Sequence, residues 1–215
     1  MLLAFDTSSP TVTVAVHDGT DVVAQLASTE TMRHGEQLTP LVDQALRQVG
    51  ITARDLSAIV VGVGPGPFTG LRVGLVSART MAYALQVPVY GVCSLDVLAV
   101  EALHTGAVSG PFVVASDARR REVYLATYDE TALRVSGPDV QRPVEAAASV
   151  GELPVVGEGA VLYPDAFPDG RQPVRPAAGW LARCVVEERA ELRDPEPLYL
   201  RRPDAEIPRA PKPVS

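Results

Sequence analysis

Short apolar runs separated by turn residues open the chain. Leu2 to Phe5 is apolar and ends in the turn cluster Asp6 to Pro10, and Thr11 to Val16 alternates valine with threonine or alanine. A third run covers Val22 to Leu26. Because β-branched runs separated by turn residues are typical of hairpins, the pattern predicts an antiparallel three-strand meander.

Helical and strand patterns then alternate. Glu36 to Val49 carries apolar residues at helical spacing, and we expect Pro40 to lie in its first turn, where proline is tolerated. Ala58 to Val63 is apolar without alternation, which indicates a central strand buried on both faces. Thr69 to Gln86 predicts a long helix. Further along, the pattern predicts a strand at 87–92 and a helix at 94–103.

The pattern restarts after the polar stretch His104 to Gly110. The apolar run 112–116 meets Asp117, a turn follows, and the strand pattern returns at 123–128. Strand, aspartate, turn and strand also occur in that order around Asp6, so a weak repeat predicts a duplicated α/β domain. We expect an N-terminal lobe (1–104), a reduced C-terminal lobe (110–202) whose one good helix spans Ala177 to Glu191, and a flexible proline-rich tail (203–215).

Composition narrows the function. Hydrophobic residues make up 47% of the 215 and charged residues 21%, which is ordinary for a globular protein. The formal net charge of −7 excludes a free-standing nucleic-acid binder, which would need a basic surface. Lys212 is the only lysine among 19 basic residues, so a Walker-type phosphate loop or a Schiff-base site cannot be built from the globular part. Cys93 and Cys184 form no metal motif, and the N-terminus lacks a basic leader, so we expect a cytoplasmic protein without a membrane segment.

Two glycine- or hydroxyl-rich turns could carry chemistry. Asp6, Thr7 and Ser8 follow a strand and could hold Mg²⁺ waters or a phosphate, but a turn in which Asp and Ser bond the backbone is the favoured interpretation. The segment from Gly62 to Gly70 follows a strand and opens a helix, where anions bind. Its prolines remove N–H groups, so a stiff turn is again favoured over a phosphate site.

Small residues line one stripe of the helix that follows. Gly70, Gly74, Ala78 and Ala82 recur every four residues, which allows another backbone to approach closely. The sequence leaves open whether that backbone belongs to the same chain or to a partner. The three histidines share no zinc-binding spacing, and we expect the segment at His34 to cap the first helix.

Together these pieces resemble the TsaB (YeaZ) family. The resemblance rests on Asp6-Thr7-Ser8, on His34-x-Glu36, and above all on the highly specific glycine segment Gly64-Pro65-Gly66-x-Phe68-Thr69-Gly70-Leu71-Arg72-x-Gly74. Asp117-Ala118-Arg119 and Pro197-x-Tyr199-Leu200-Arg201 also fit. Pro67 stands where the family usually has serine, which weakens any phosphate role for the loop.

The resemblance implies a fold and a function. The fold is α/β of the actin/Hsp70/sugar-kinase-like (ASKHA) class, with duplicated mixed-sheet lobes. The function is that of a non-catalytic dimerisation subunit in the complex that forms N6-threonylcarbamoyladenosine in tRNA. It pairs with a TsaD-like catalytic paralogue, a TsaE-like ATPase docks on the pair, and tRNA is bound only through the complex. The paralogue holds its metal through an H-x-x-x-H motif that this sequence lacks. We therefore expect no intrinsic cofactor, with ATP or ADP at the partner interface, and a homodimer when the chain is alone.

By the family pattern, the first two helices form the dimer face. The expected interface residues are Leu38, Leu41, Val42, Ala45, Thr69, Arg72, Val73, Val76, Arg79, Thr80 and Tyr83. An alternative is an ATPase or kinase of the same fold that binds Mg-ATP at Asp6, Thr7, Ser8 and Asp117. A third, a metallopeptidase from an older label of the wider family, is disfavoured by the missing histidine pair.

Overall fold

The first half of the chain forms a five-stranded mixed sheet. In the computed structural model, which describes residues 1–28 and 30–201, strands β1 (Leu2–Asp6), β2 (Thr13–His17) and β3 (Val22–Ala27) form an antiparallel meander. β4 (Ala58–Gly62) and β5 (Val89–Val92) add on the other side of β1 as parallel strands. The order is β3-β2-β1-β4-β5, which confirms the predicted meander and the central, buried position of β4.

The second sheet repeats this topology. β6 (Phe112–Asp117), β7 (Val123–Tyr128) and β8 (Arg134–Gln141) form an antiparallel meander. β9 (Val155–Val156) and β10 (Gly170–Arg171) continue on the other side of β6 as short parallel strands, so the order is β8-β7-β6-β9-β10. The two halves therefore have the same strand order and the same pairings. This confirms the duplicated mixed-sheet fold class that the sequence predicted.

Two helices cover one face of the first sheet. α1 (His34–Val49) packs on β2 and β3, and α2 (Phe68–Leu85) packs on β4 and β5. The prediction for Pro40 was wrong, because this residue lies in the interior of α1 rather than in its first turn. The missing N–H would have bonded the carbonyl of Glu36, and both residues are exposed, so water can satisfy that carbonyl.

The other face of the first sheet meets helices from both halves. α3 (Ser94–His104) lies between the two sheets, and its residues 94–100 are all buried, as expected for a helix that is apolar on every side. α6 (Ala178–Val186) returns from the second half to pack on β1, β2 and β4. It is shorter than the predicted 177–191 helix because Glu188 adopts the left-handed conformation that ends helices, with φ of 54°.

The second lobe is the smaller one in helical content. α4 (Pro143–Val150) and α5 (Glu158–Leu162) share a core with its sheet, and the sequence pattern predicted neither. The predicted lobe ranges 1–104 and 110–202 remain predictions, although α6 lies in the second range and packs on the first sheet. The predicted tail 203–215 lies outside the described residues. Among the residues described, no helix is long and apolar enough to cross a membrane.

Candidate functional site

Asp6 stands at the end of β1 and is fully buried. Its Oδ1 accepts hydrogen bonds from the backbone N–H and the hydroxyl of Ser8, both at 2.6 Å, and its Oδ2 accepts one from the hydroxyl of Ser94, also at 2.6 Å. Burial raises the pKa of Asp6, and the hydrogen bonds from Ser8 and Ser94 oppose that rise. Both carboxylate oxygens are therefore engaged inside the chain, and the predicted aspartate–serine turn is confirmed.

The glycine segment packs directly on this turn. A Cβ at Gly70 would lie 2.4 Å from the carbonyl oxygen of Thr7, and one at Gly74 would lie 2.3 Å from the Thr7 hydroxyl. That hydroxyl donates a hydrogen bond to the carbonyl of Gly70 at 2.8 Å. The small-residue stripe of α2 thus faces the chain's own β1 turn, so the backbone whose owner the sequence left open is internal. The Pro67 departure places proline at the N-cap of α2, where no side chain caps the helix.

His34 does not cap α1, which corrects the prediction from the sequence. It is the first residue of the helix, is buried, and its Nε2 lies 2.7 Å from the carbonyl oxygen of Ser9. Arg33 occupies the N-cap position, and its guanidinium pairs with Glu36. The histidine therefore fixes the turn after β1 against α1, and the Arg33–Glu36 pair lies on the surface.

Two cavities border Asp117: a larger one of about 580 Å³, whose lining includes Pro67, Phe68 and Tyr124, and a much smaller one. A cavity of about 20 Å³ is lined by Ser8, Asp117, Arg119 and Arg175 among others, and Asp6 is not part of its lining. That volume holds about one water molecule. Asp117 accepts a hydrogen bond from the backbone N–H of Arg119 at 2.8 Å, and its carboxylate pairs with the Arg119 guanidinium at 3.2 Å. Asp6 lines neither of these two cavities.

The predicted interface residues fall into three groups. Six are exposed on one face of α2: Thr69, Arg72, Val76, Arg79, Thr80 and Tyr83. Leu41 and Val73 are half-buried. Leu38, Val42 and Ala45 belong to the core beneath α1, with 0–6% exposure, and cannot form a docking surface. This part of the prediction was wrong, because the apolar stripe of α1 faces the chain's own sheet.

The exposed face of α2 combines large apolar side chains with arginines. Tyr83 is 88% exposed and Val76 is 62% exposed, and Phe68 at the start of the helix is 43% exposed. We call the six exposed residues named above, from Thr69 to Tyr83, the α2 face. Exposed aromatic side chains and arginines are the residue types that protein interfaces favour.

The sequence did not reveal where the C-terminal segment lies. Residues 193–201, which we call the C-terminal strap, run from the edge of β5 across the N-terminal part of α2. Arg193 and Gly91 exchange backbone hydrogen bonds of 2.9 and 2.8 Å, and the N–H of Leu198 donates to the carbonyl of Val63 at 2.9 Å. The only signal was the resemblance at Pro197-x-Tyr199-Leu200-Arg201, which marks the segment without placing it.

Comparison with known proteins identifies relatives of the whole chain. The family model described as TsaD: tRNA N6-adenosine threonylcarbamoyltransferase matches residues 22–154. A protein of Mycobacterium tuberculosis (strain H37Rv) is 42% identical over 213 residues, which are 95% of this chain and 93% of the relative. The tRNA threonylcarbamoyladenosine biosynthesis protein TsaB of Escherichia coli is 30% identical over 222 residues, with 93% and 94% covered.

A solved structure has the same fold. YeaZ from Pseudomonas aeruginosa superposes with a TM-score of 0.78 at 28% identity and covers 93% of this chain and 99% of its own. The match thus includes both sheets and α6, and it extends well beyond the glycine segment on which the sequence resemblance mainly rests.

Proposed function

The chain belongs to the TsaB (YeaZ) family of tRNA threonylcarbamoyladenosine biosynthesis proteins, and on that premise we propose that it is the non-catalytic dimerisation subunit of the modifying complex. Its partner is a TsaD-like catalytic paralogue, which it contacts through the α2 face. A TsaE-like ATPase docks on the pair, and tRNA is bound by the complex rather than by this chain alone. The net charge of −7 agrees with a subunit that leaves most of the tRNA contact to the other subunits.

The observation that carries the proposal is the exposure of Val76 and Tyr83 on the α2 face. These two large side chains lie on a helix whose opposite side packs through Gly70 and Gly74 on the turn after β1. Tyrosine and arginine are the residue types that dominate binding energy at protein interfaces, and this face carries Tyr83, Arg72 and Arg79.

The TsaD match supports a partner of the same fold. The matched residues 22–154 contain α1 (34–49) and α2 (68–85), so a TsaD-like protein carries the equivalent pair of helices. Two such chains can pair helix against helix about a pseudo-two-fold axis. The same geometry lets two copies of this chain pair when the paralogue is absent, so we expect a homodimer from the chain alone.

The chemistry is assigned to the partner. The three histidines, His17, His34 and His104, lack the H-x-x-x-H spacing through which the paralogue holds its metal. Asp6 is buried and hydrogen-bonded, and it lines neither of the two cavities that border Asp117. These features support a subunit that acts by binding, with any ATP or ADP held jointly with the partner rather than by this chain.

The test is a reconstitution of the modification. The paralogue, the ATPase, threonylcarbamoyl-adenylate and tRNA are mixed with or without this chain, and modified adenosine is quantified. We expect product only when both this chain and the paralogue are present. Product that forms equally well without this chain would refute the proposed function, and calorimetric binding of Mg-ATP to the chain alone, with turnover, would favour the kinase alternative.

Matched variants connect that activity to the α2 face. Val76→Asp places a charge on the face, and Val144→Asp makes the same change on α4, where the valine is 80% exposed. We expect Val76→Asp to weaken pairing and product formation by at least about tenfold and Val144→Asp to leave both unchanged. Equal behaviour of the two variants would remove the interface assignment.

A further inference from the structure

The C-terminal strap contacts both arginines of the α2 face. The Arg79 guanidinium pairs with the carboxylate of Glu196 at 2.6 Å. The Arg72 Nε–H donates to the hydroxyl of Tyr199 at 3.1 Å, and its guanidinium lies 3.7 Å from the centre of the Phe68 ring. Arg79 is therefore paired with a carboxylate, whereas the contacts of Arg72 are with two uncharged aromatic side chains.

The C-terminal strap and α2 form the two walls of an open groove of about 650 Å³. Leu75 and Val76 line its α2 side, and Pro197 and Tyr199 line its strap side. The polar part of the lining comes from Arg72, Arg79, Thr80 and Glu196. The strap side is held by backbone hydrogen bonds to β5 and to Val63, so the groove is formed before any partner arrives.

We propose that this groove is the central pocket of the partner interface and that it takes an apolar side chain from a helix of the TsaD-like subunit. The inference rests on the proposed function and deepens it, because it adds the strap to the contact surface and specifies the chemistry of the occupant. An acidic partner residue aimed at Arg79 would have to displace Glu196.

The chemistry of the occupant sets the salt dependence of pairing. Interactions between exposed charges weaken as salt is added, whereas burial of apolar surface does not. The dissociation constant of the full-length chain with the paralogue is measured by calorimetry in 50 mM and 500 mM NaCl. We expect it to change by less than about threefold between these concentrations.

Variants separate the strap from the helix. We expect Tyr199→Ala and Val76→Ala each to weaken binding by about tenfold, and Arg79→Gln by less than about threefold. Val144→Ala on α4 is the matched control. Hydrogen exchange on the complex of the unsubstituted chain gives a second readout that needs no variant. The amides of residues 193–201 should become protected from exchange when the two subunits pair.

Two results would overturn the inference and leave the proposed function in place. One is unchanged binding of Tyr199→Ala, without protection of the strap, while Val76→Asp abolishes pairing. The other is a loss of about tenfold or more for Arg79→Gln with steep salt dependence, which would assign an acidic partner residue to Arg79. Normal pairing and normal product from Val76→Asp would refute the interface itself.

Discussion

Substitution of Gly74 by alanine tests the close packing of α2 on the β1 turn. The new Cβ would lie 2.3 Å from the Thr7 hydroxyl, a separation at which one of the two groups must move. Moving Thr7 sacrifices its 2.8 Å hydrogen bond to the Gly70 carbonyl, worth about 0.5–1.5 kcal/mol. Overpacking of a well-packed core adds about 1–3 kcal/mol.

The gain in helix propensity opposes this loss. Alanine in place of glycine in a helix interior stabilises by about 1 kcal/mol. We therefore expect a net loss of about 1–3 kcal/mol in the free energy of unfolding of Gly74→Ala. For a chain of this size that corresponds to a melting temperature lower by about 3–10 °C. Thermal unfolding followed by circular dichroism measures it.

A matched glycine in the neighbouring helix provides the control. A Cβ at Gly35 in α1 would meet only Val73 Cγ2 at 4.0 Å, so Gly35→Ala should leave the melting temperature unchanged or raise it. Thr7→Ala combined with Gly74→Ala should lose less stability than the sum of the single changes, because the clashing hydroxyl is absent. A Gly74→Ala variant that melts at or above the wild-type temperature would refute the packing argument. Gly74→Leu, by the same geometry, disrupts the chain's own core and is no clean test of partner docking.

Three further predictions follow from buried groups. Burial raises the pKa of Glu101 to about 7 against its ordinary 4.5, so this group makes the fold less stable as pH rises from about 4.5 to 7. In chemical denaturation, the stability of Glu101→Gln relative to wild type should therefore increase by about 1–2 kcal/mol between pH 5 and pH 8, after allowance for the partial exposure of this residue. An equal difference at both pH values would contradict this. Burial raises the pKa of the Cys93 thiol to about 12 and raises the pKa of the Cys184 thiol as well. Both thiols should therefore be inert to a thiol reagent at pH 8 in the native chain and should react when the chain unfolds. Rapid labelling of the native chain would show that one of them is accessible. Tyr128→Phe removes the 2.7 Å hydrogen bond that its hydroxyl donates to the buried Asp96 and should lose about 1–3 kcal/mol of unfolding free energy, whereas unchanged stability would mean that Arg134 alone satisfies that carboxylate.

The first lobe could be predicted from the sequence because its local signals agree. The alternating valines at 12, 14 and 16 predict β2, and the continuous apolar run at 58–63 predicts a buried strand. The second lobe has weaker signals. β8 contains Gly137 and Pro138 and is an edge strand with several exposed residues, and β9 and β10 have two residues each, too few for any periodicity.

The sequence indicated which residues of α2 pack closely, but it did not indicate what they pack against. The spacing of Gly70, Gly74, Ala78 and Ala82 correctly indicated a close approach, but spacing carries no information on which backbone approaches. The apolar stripe that includes Leu38 and Val42 was assigned to a partner, although a sheet of the same chain accounts for it. The strap could not be placed, since its anchors at Gly91 and Val63 are about a hundred residues or more away in sequence and leave no local pattern.

The glycine segment affects pairing by setting the position of α2, and its glycines do not themselves contact the partner. Its glycines bring α2 down onto Thr7, and that depth determines how far Val76 and Tyr83 project from the opposite side of the helix. The same depth sets the distance from α2 to the strap, and hence the width of the groove. Changes at Gly70 or Gly74 should therefore lower stability first and pairing as a consequence, whereas changes at Val76 should lower pairing at unchanged stability. Measuring both quantities on the same variants separates the residues that place the interface from those that form it.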